Sequence, residues 1–197
     1  MKSTILERYP RTEDGLYIID INAGKVSDLY NDFDKLAPYV RKELDQDLAD
    51  YLADSASELE QEPFTIRFNL SIPPDDVTKT RISTSINSYF LYLKTVEMRE
   101  LARNMRTSLI FFVIGLAILF LAVWVNQQLT ENATVTAKVF AEGLTVAAWV
   151  AMWNGLAIFL VNWAPYSRKI KLYERIAVAQ VLFTATPATG TVVESQQ

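Results

Sequence analysis

Hydrophobic positions along the chain fall into two long blocks and several short periodic ones. The first block, SLIFFVIGLAILFLAVWV (Ser108–Val125), has 18 residues without a charge, roughly 27 Å of helix at the α-helical rise. The second, AEGLTVAAWVAMWNGLAIFLVNW, is uncharged from Gly143 to Trp163, roughly 31 Å as a helix. Only thirteen mostly polar residues, Asn126–Lys138, separate the two. Apolar blocks of this length with so short a link predict an antiparallel transmembrane hairpin over residues 101–169, its spans at about 107–125 and 139–163.

The shorter periodicities lie in residues 15–100. YIIDI (Tyr17–Ile21), closed by Asn-Ala-Gly, predicts a strand and a turn. Ser27 is placed to cap a short helix with Val26, Leu29, Tyr30 and Phe33 on its apolar side. Asp45 is placed to cap a second, DQDLADYLADSASEL, with Leu48, Tyr51, Leu52 and Leu59 at helical spacing. In PFTIRFNLSI, Phe64, Ile66, Phe68 and Leu70 alternate with Thr65, Arg67 and Asn69, the period of a half-buried strand. After Pro73-Pro74 the period lengthens: Ile82, Ile86, Phe90 and Leu93 predict a helix from near Val77 that continues, as a stalk, into the first span. Beyond the second span, Pro165 is expected to break the helix ahead of a basic turn, RKIKLYER. AVAQVLFTA then predicts a last strand, within 176–185, able to return to the same sheet.

The expected fold class is therefore α+β: a small cytoplasmic domain with a short mixed sheet and helices, joined to the two-helix hairpin. Residues 1–14 and 186–197 are expected to be flexible.

Charge orients this arrangement. Lys94, Arg99, Arg103 and Arg106 precede the first span, and Arg168, Lys169, Lys171 and Arg175 follow the second. The intervening loop has only Lys138, offset by Glu131. The positive-inside bias places both termini in the cytoplasm. MKSTILERYPRTEDG has no 7–15-residue apolar stretch and is not expected to be a signal peptide. Arg103, Arg106, Arg168 and Lys169 are candidate ligands for lipid headgroups.

Composition narrows the chemistry. The chain has no Cys and no His, which removes thiolate nucleophiles and the commonest general base and metal ligand. Residues 13–62 carry fourteen Asp or Glu against four Lys or Arg. Asp32, Asp34, Asp45, Asp47 and Asp50 do not follow the calcium-loop pattern, so they read as solvated faces and caps. Such a surface suits a basic protein partner and argues against nucleic acid. No phosphate loop, nucleophile elbow or zinc signature occurs. No enzyme activity, cofactor, metal site or catalytic residue is expected.

SDLYNDFDKLAPYVRKELDQDLADYL, INSYFLYLKTVEMRELARNMRTSLIFFVIGLAILF and EGLTVAAWVAMWNGLAIFLVNWAPYSRKIKLYER together resemble a family of small two-span bacterial inner-membrane proteins of unassigned function. The resemblance covers most of residues 15–180 and implies the location without implying any chemistry.

The second block holds the candidate interaction residues. Gly143, Ala147, Ala151 and Gly155 recur every fourth position, the spacing of a close-packing groove. Ser108, Gly115 and Ala122 offer a lesser seam at steps of seven on the first span. Trp149 and Trp153 form a second face, and Asn154, near the middle of the run, is suited to interhelical hydrogen bonding. Two faces need two neighbours, so a homo-oligomer assembled through the hairpin is expected, the protein serving as a scaffold or regulatory accessory subunit. The alternative is an oligomeric channel with Glu142 and Asn154 as candidate pore-lining residues. A membrane-anchored enzyme is the third reading.

Overall fold

Among the described residues the strands and long helices follow in the order β1 (Tyr17–Ala23), α1 (Gln46–Glu58), β2 (Phe64–Leu70), α2 (Asp76–Gln128), α3 (Val135–Val178) and β3 (Gln180–Ala185). The computed structural model describes residues 6–34, 37–39, 41–128 and 134–185. The tail 186–197 and residues 129–133 of the interhelical loop lie outside them. The chain divides into two compact units, one formed by the segments up to Lys94 and from Lys171, the other by Thr95–Ile170.

The first unit is α+β. Its sheet has the order β1-β2-β3, with Tyr17 opposite Phe64 and Thr65 opposite Gln180. All three strands are parallel, not mixed as expected from the sequence. Helical crossovers explain the difference. α1 separates β1 from β2, and α2 and α3 separate β2 from β3, so each strand restarts in the same direction.

The alternating strand residues form the core. Ile19, Ile21, Phe64, Ile66, Phe68 and Leu70 pack with Leu52, Ala56 and Leu59 of α1, Ile82, Ile86 and Phe90 of α2, and Ile176 of α3. The opposite strand positions carry a polar ladder. Arg67, register partner of Asp20, donates to its carboxylate through Nε at 2.5 Å and Nη2 at 2.7 Å. Asn69 bridges Asp20 and Asn22 beside them. The Arg67 guanidinium holds the Asp20 carboxyl below its ordinary range.

Asp45 caps α1, accepting from the backbone N–H groups of Asp47 and Leu48. The helix expected after Ser27 is instead two short 3-10 turns, Val26–Leu29 and Asp32–Asp34. Tyr30 leaves the helical path to bridge Leu44, and Asp34 accepts the Glu43 N–H at 2.7 Å. Leu29 and Tyr30 are buried, whereas Phe33 is 99% exposed. In the leading segment Leu6 and Tyr9 pack on the core, and Pro10 accepts the Ile18 N–H at 2.9 Å. Arg11 bridges Tyr17, so the chain pairs with itself across the turn at Gly15.

Arg175, counted in the sequence with the basic residues flanking the second span, has a structural task in this unit. Its guanidinium donates to the carbonyls of Glu60 and Glu62 and stacks 5.1 Å from the Phe64 ring centroid. Glu60 has φ +47°, a backbone state that side-chain-bearing residues seldom adopt. The arginine thereby pins the turn between α1 and β2.

Two outcomes are expected. Arg175→Ala destabilises the domain by about 1.5–3 kcal/mol, the usual range for hydrogen bonds from a charged donor, with Arg175→Lys only partly restoring it because a point charge cannot serve two carbonyls and a ring. Chemical denaturation of the purified chain measures both. The Asp20–Arg67 pair adds an acid-sensitive contribution. Because the native Asp20 pKa is depressed, its stabilisation is complete above the unfolded value, about 3.9. It is lost as pH falls through the native value. The stability gap between the parent chain and Asp20→Asn should hold steady from pH 8 to 5 and shrink below about pH 4.

Candidate functional site: the paired apolar helices

α2 begins where Asp75 accepts the Thr78 N–H and runs unbroken to Gln128. α3 starts after Thr134, whose carbonyl accepts from Ala137 and Lys138. It continues through Pro165 to Val178, so the expected break and basic turn are absent and RKIKLYER is helical. Proline removes one i→i−4 hydrogen bond, freeing the Val161 carbonyl, but flanking turns that keep their own bonds carry the helix onward.

Both helices are long and apolar enough to cross a membrane. In their most apolar 18-residue windows, only 17% and 11% of residues are buried. Both stretches therefore present apolar side chains outward along most of their length.

Within the second unit the two helices meet along small residues. Ser108, Gly115 and Ala122 of α2 are buried, as are Ala141, Ala148 and Gly155 of α3. Both sets recur at steps of seven. The Ser108 hydroxyl donates to the Gly155 carbonyl at 2.6 Å. A Cβ on Gly155 would stand 3.0 Å from the Ser108 carbonyl oxygen and 3.1 Å from the Phe112 nitrogen. One on Gly115 would stand 2.6 Å from the Met152 side chain and 2.8 Å from the Met152 nitrogen. Contact partners on α3 fall in number as those on α2 rise. Backbones this close gain dispersion contacts that larger side chains would forbid.

The four-step row of small residues on α3 is not this seam. Of Gly143, Ala147, Ala151 and Gly155, only Gly155 lies in the contact. Ala151 is half-buried, Ala147 is exposed, and a Cβ on Gly143 meets nothing within 4 Å. A four-residue step advances 40° past a full turn, so such a row drifts off the contact line, whereas a seven-residue step drifts by only about 20°. The seven-step spacing of Ser108, Gly115 and Ala122 was the usable signal. Its counterpart, Ala141, Ala148 and Gly155, was missed because alanine is common throughout α3.

The register also sets depth. Asn154 lies level with about residue 110 of α2, one turn from where that helix becomes charged, and so does Trp153. The middle of the uncharged run on α3 is therefore not the middle of the pair. Trp149, level with about Gly115, is the tryptophan nearest the centre, and both it and Trp153 are exposed, at 62% and 68%. Glu142 and Asn154 are exposed on different faces, and the chain does not bring them together. The Asn162 side chain lies outside the described residues.

The four basic candidates separate too. Arg103 pairs with Glu100 at 2.5 Å and Lys169 with Glu97 at 3.4 Å. Arg106 and Arg168 are exposed. Lys169 and Arg168 sit level with residues near 97, roughly 14 Å along the axis from Arg106.

The α+β unit has shallow clefts of its own. One, of about 220 Å³, is lined by Asn31, Glu43, Asp50, Tyr89 and Tyr173 among others. Burial, then Glu43 and Asp50, push the Tyr89 hydroxyl up, so this tyrosine is a proton donor and not a base near neutrality. The acidic candidates do not gather: Asp34 and Asp45 accept from backbone N–H groups, and no group of three acidic side chains converges among the described residues.

Glycine substitutions grade the contact. Gly115→Ala should weaken the helix pair most, by about 1–3 kcal/mol, Gly155→Ala less, and Gly143→Ala should be neutral. Detergent-to-denaturant titration followed by tryptophan fluorescence gives the order.

Compared with known protein families, curated proteins and solved structures, the chain matches none of them.

Proposed function

We propose that this chain is a two-span membrane protein that carries an α+β domain on an antiparallel helical hairpin, self-associates through that hairpin, and serves as a non-enzymatic scaffold or regulatory subunit. The observation that carries the reading is the exposure of the two apolar helices. Leu109, Val113, Phe120, Trp149, Trp153 and Leu160 are each at least half exposed along stretches without a charge. Water would oppose such a surface at roughly 25 cal/mol per Å², whereas lipid tails accept it. Backbone hydrogen bonds closed within each helix are the other requirement of a lipid setting.

Orientation follows from charge: Arg99, Arg103 and Arg106 before one span and Arg168, Lys169 and Lys171 after the other place both chain ends in the cytoplasm. The sequence resemblance supports a bacterial inner membrane. Self-association has its support in α3. The outward side that holds Gly143 and Ala147 admits a close neighbour, and Asn154 beside it offers an amide to a partner. An acidic surface on the α+β domain suits a basic protein partner.

Reporter fusions at the two chain ends should both report the cytoplasm, and opposite compartments would exclude the hairpin. Native mass spectrometry of the detergent-extracted chain should show more than one copy. Ala147→Leu should lower the copy number, since it fills the outward groove, while leaving the helix pair folded.

A further inference from the structure

Resting on the membrane-spanning reading, we propose that Arg103 and Arg106 bind the phosphate of an anionic phospholipid whose acyl chains lie along Ile110 and Val113. Arg99, Arg103 and Arg106 recur at steps of four and three, so they share one face of α2. At 100° per residue that face points away from the Ser108–Gly115–Ala122 seam, and all three are outside the helix contact. The same face continues as Ile110 and Val113, 48% and 53% exposed. A single exposed strip therefore changes from basic to apolar across Thr107, as a phospholipid changes from phosphate to tail.

Depth and charge single out this level. Arg106 lies level with about residue 158 of α3, where Phe159, Leu160 and Trp163 remain exposed for a turn and a half beyond the start of the α2 apolar block. Side chains of that kind with an aromatic at the end belong to the headgroup boundary. α3 has no acidic residue between Glu142 and Glu174 to neutralise the arginines. On α2, Glu100 engages Arg103, whose side chain still has 72% exposure, and Arg106 has no ion-pair partner among the described residues. Arginine presents a planar fork that matches phosphate oxygens. Lys169 sits roughly 9 Å beyond Arg103 and roughly 14 Å beyond Arg106 along the axis, with Arg168 next to it, and Lys169 is engaged by Glu97.

The test titrates the full chain in neutral detergent with phosphatidylglycerol or phosphatidylcholine, reading retained lipid by native mass spectrometry at low and high salt. The parent chain should prefer phosphatidylglycerol, and the preference should fall as salt rises. Arg103→Gln with Arg106→Gln should reduce it by about tenfold or more, at roughly fivefold per arginine. Arg168→Gln with Lys169→Gln should leave it intact. Equal retention of the two lipids by the parent, or equal loss in both double variants, overturns the proposal. Resistance of each chain to alkaline carbonate extraction is measured alongside. A chain that stays in the membrane without lipid preference refutes the lipid site alone, whereas a chain released as a soluble protein refutes the membrane reading as well.

Discussion

The close approach of two helices along Ser108, Gly115 and Ala122 on one side and Ala141, Ala148 and Gly155 on the other is the constraint on which the rest depends. It needs residues without bulk at seven-step intervals on both partners, because the Met152 nitrogen would stand 2.8 Å from any Cβ on Gly115. Small residues on both helices let the backbones approach to van der Waals distance. Contact must come from dispersion and from bonds such as that between the Ser108 hydroxyl and the Gly155 carbonyl. The pairing leaves most of both surfaces uncovered, which is why the exposed faces carry the functional reading.

The α+β unit depends on the same return of the chain. Its third strand begins two residues after α3 ends, so the sheet is complete only once the chain has run out through α2 and back through α3. A domain split in this way is non-local by construction, with strand partners more than a hundred residues apart. Arg175 strengthens the closure from the returning side by holding the Glu60 and Glu62 carbonyls. A residue that reads in the sequence as one more basic flank is thus committed to the α+β fold.

Register changes what the polar residues of α3 mean. Asn154 stands at the centre of an uncharged run but one turn from the charged end of the neighbouring helix. Trp149 is the deep aromatic. Arg103 and Arg106, by contrast, lie level with exposed apolar residues of α3, which one-helix counting does not detect.

Much of the fold was legible from residue order alone. Alternation in FTIRFNL determined a strand and its buried face, since a strand turns successive side chains to opposite sides. Asp45 marked a helix start because its side chain accepts orphan N–H groups nearby in sequence. The two apolar blocks marked the presence of two long helices through uninterrupted hydrophobicity, though not their ends. These signals are local, and local geometry suffices to express them. What only the tertiary structure decided was non-local: the parallel direction of all three strands, the passage of α3 through Pro165, the task of Arg175, and which small residues face the partner helix. A four-step and a seven-step row look alike in a sequence rich in alanine. They diverge only when a second helix lies at one fixed azimuth and register.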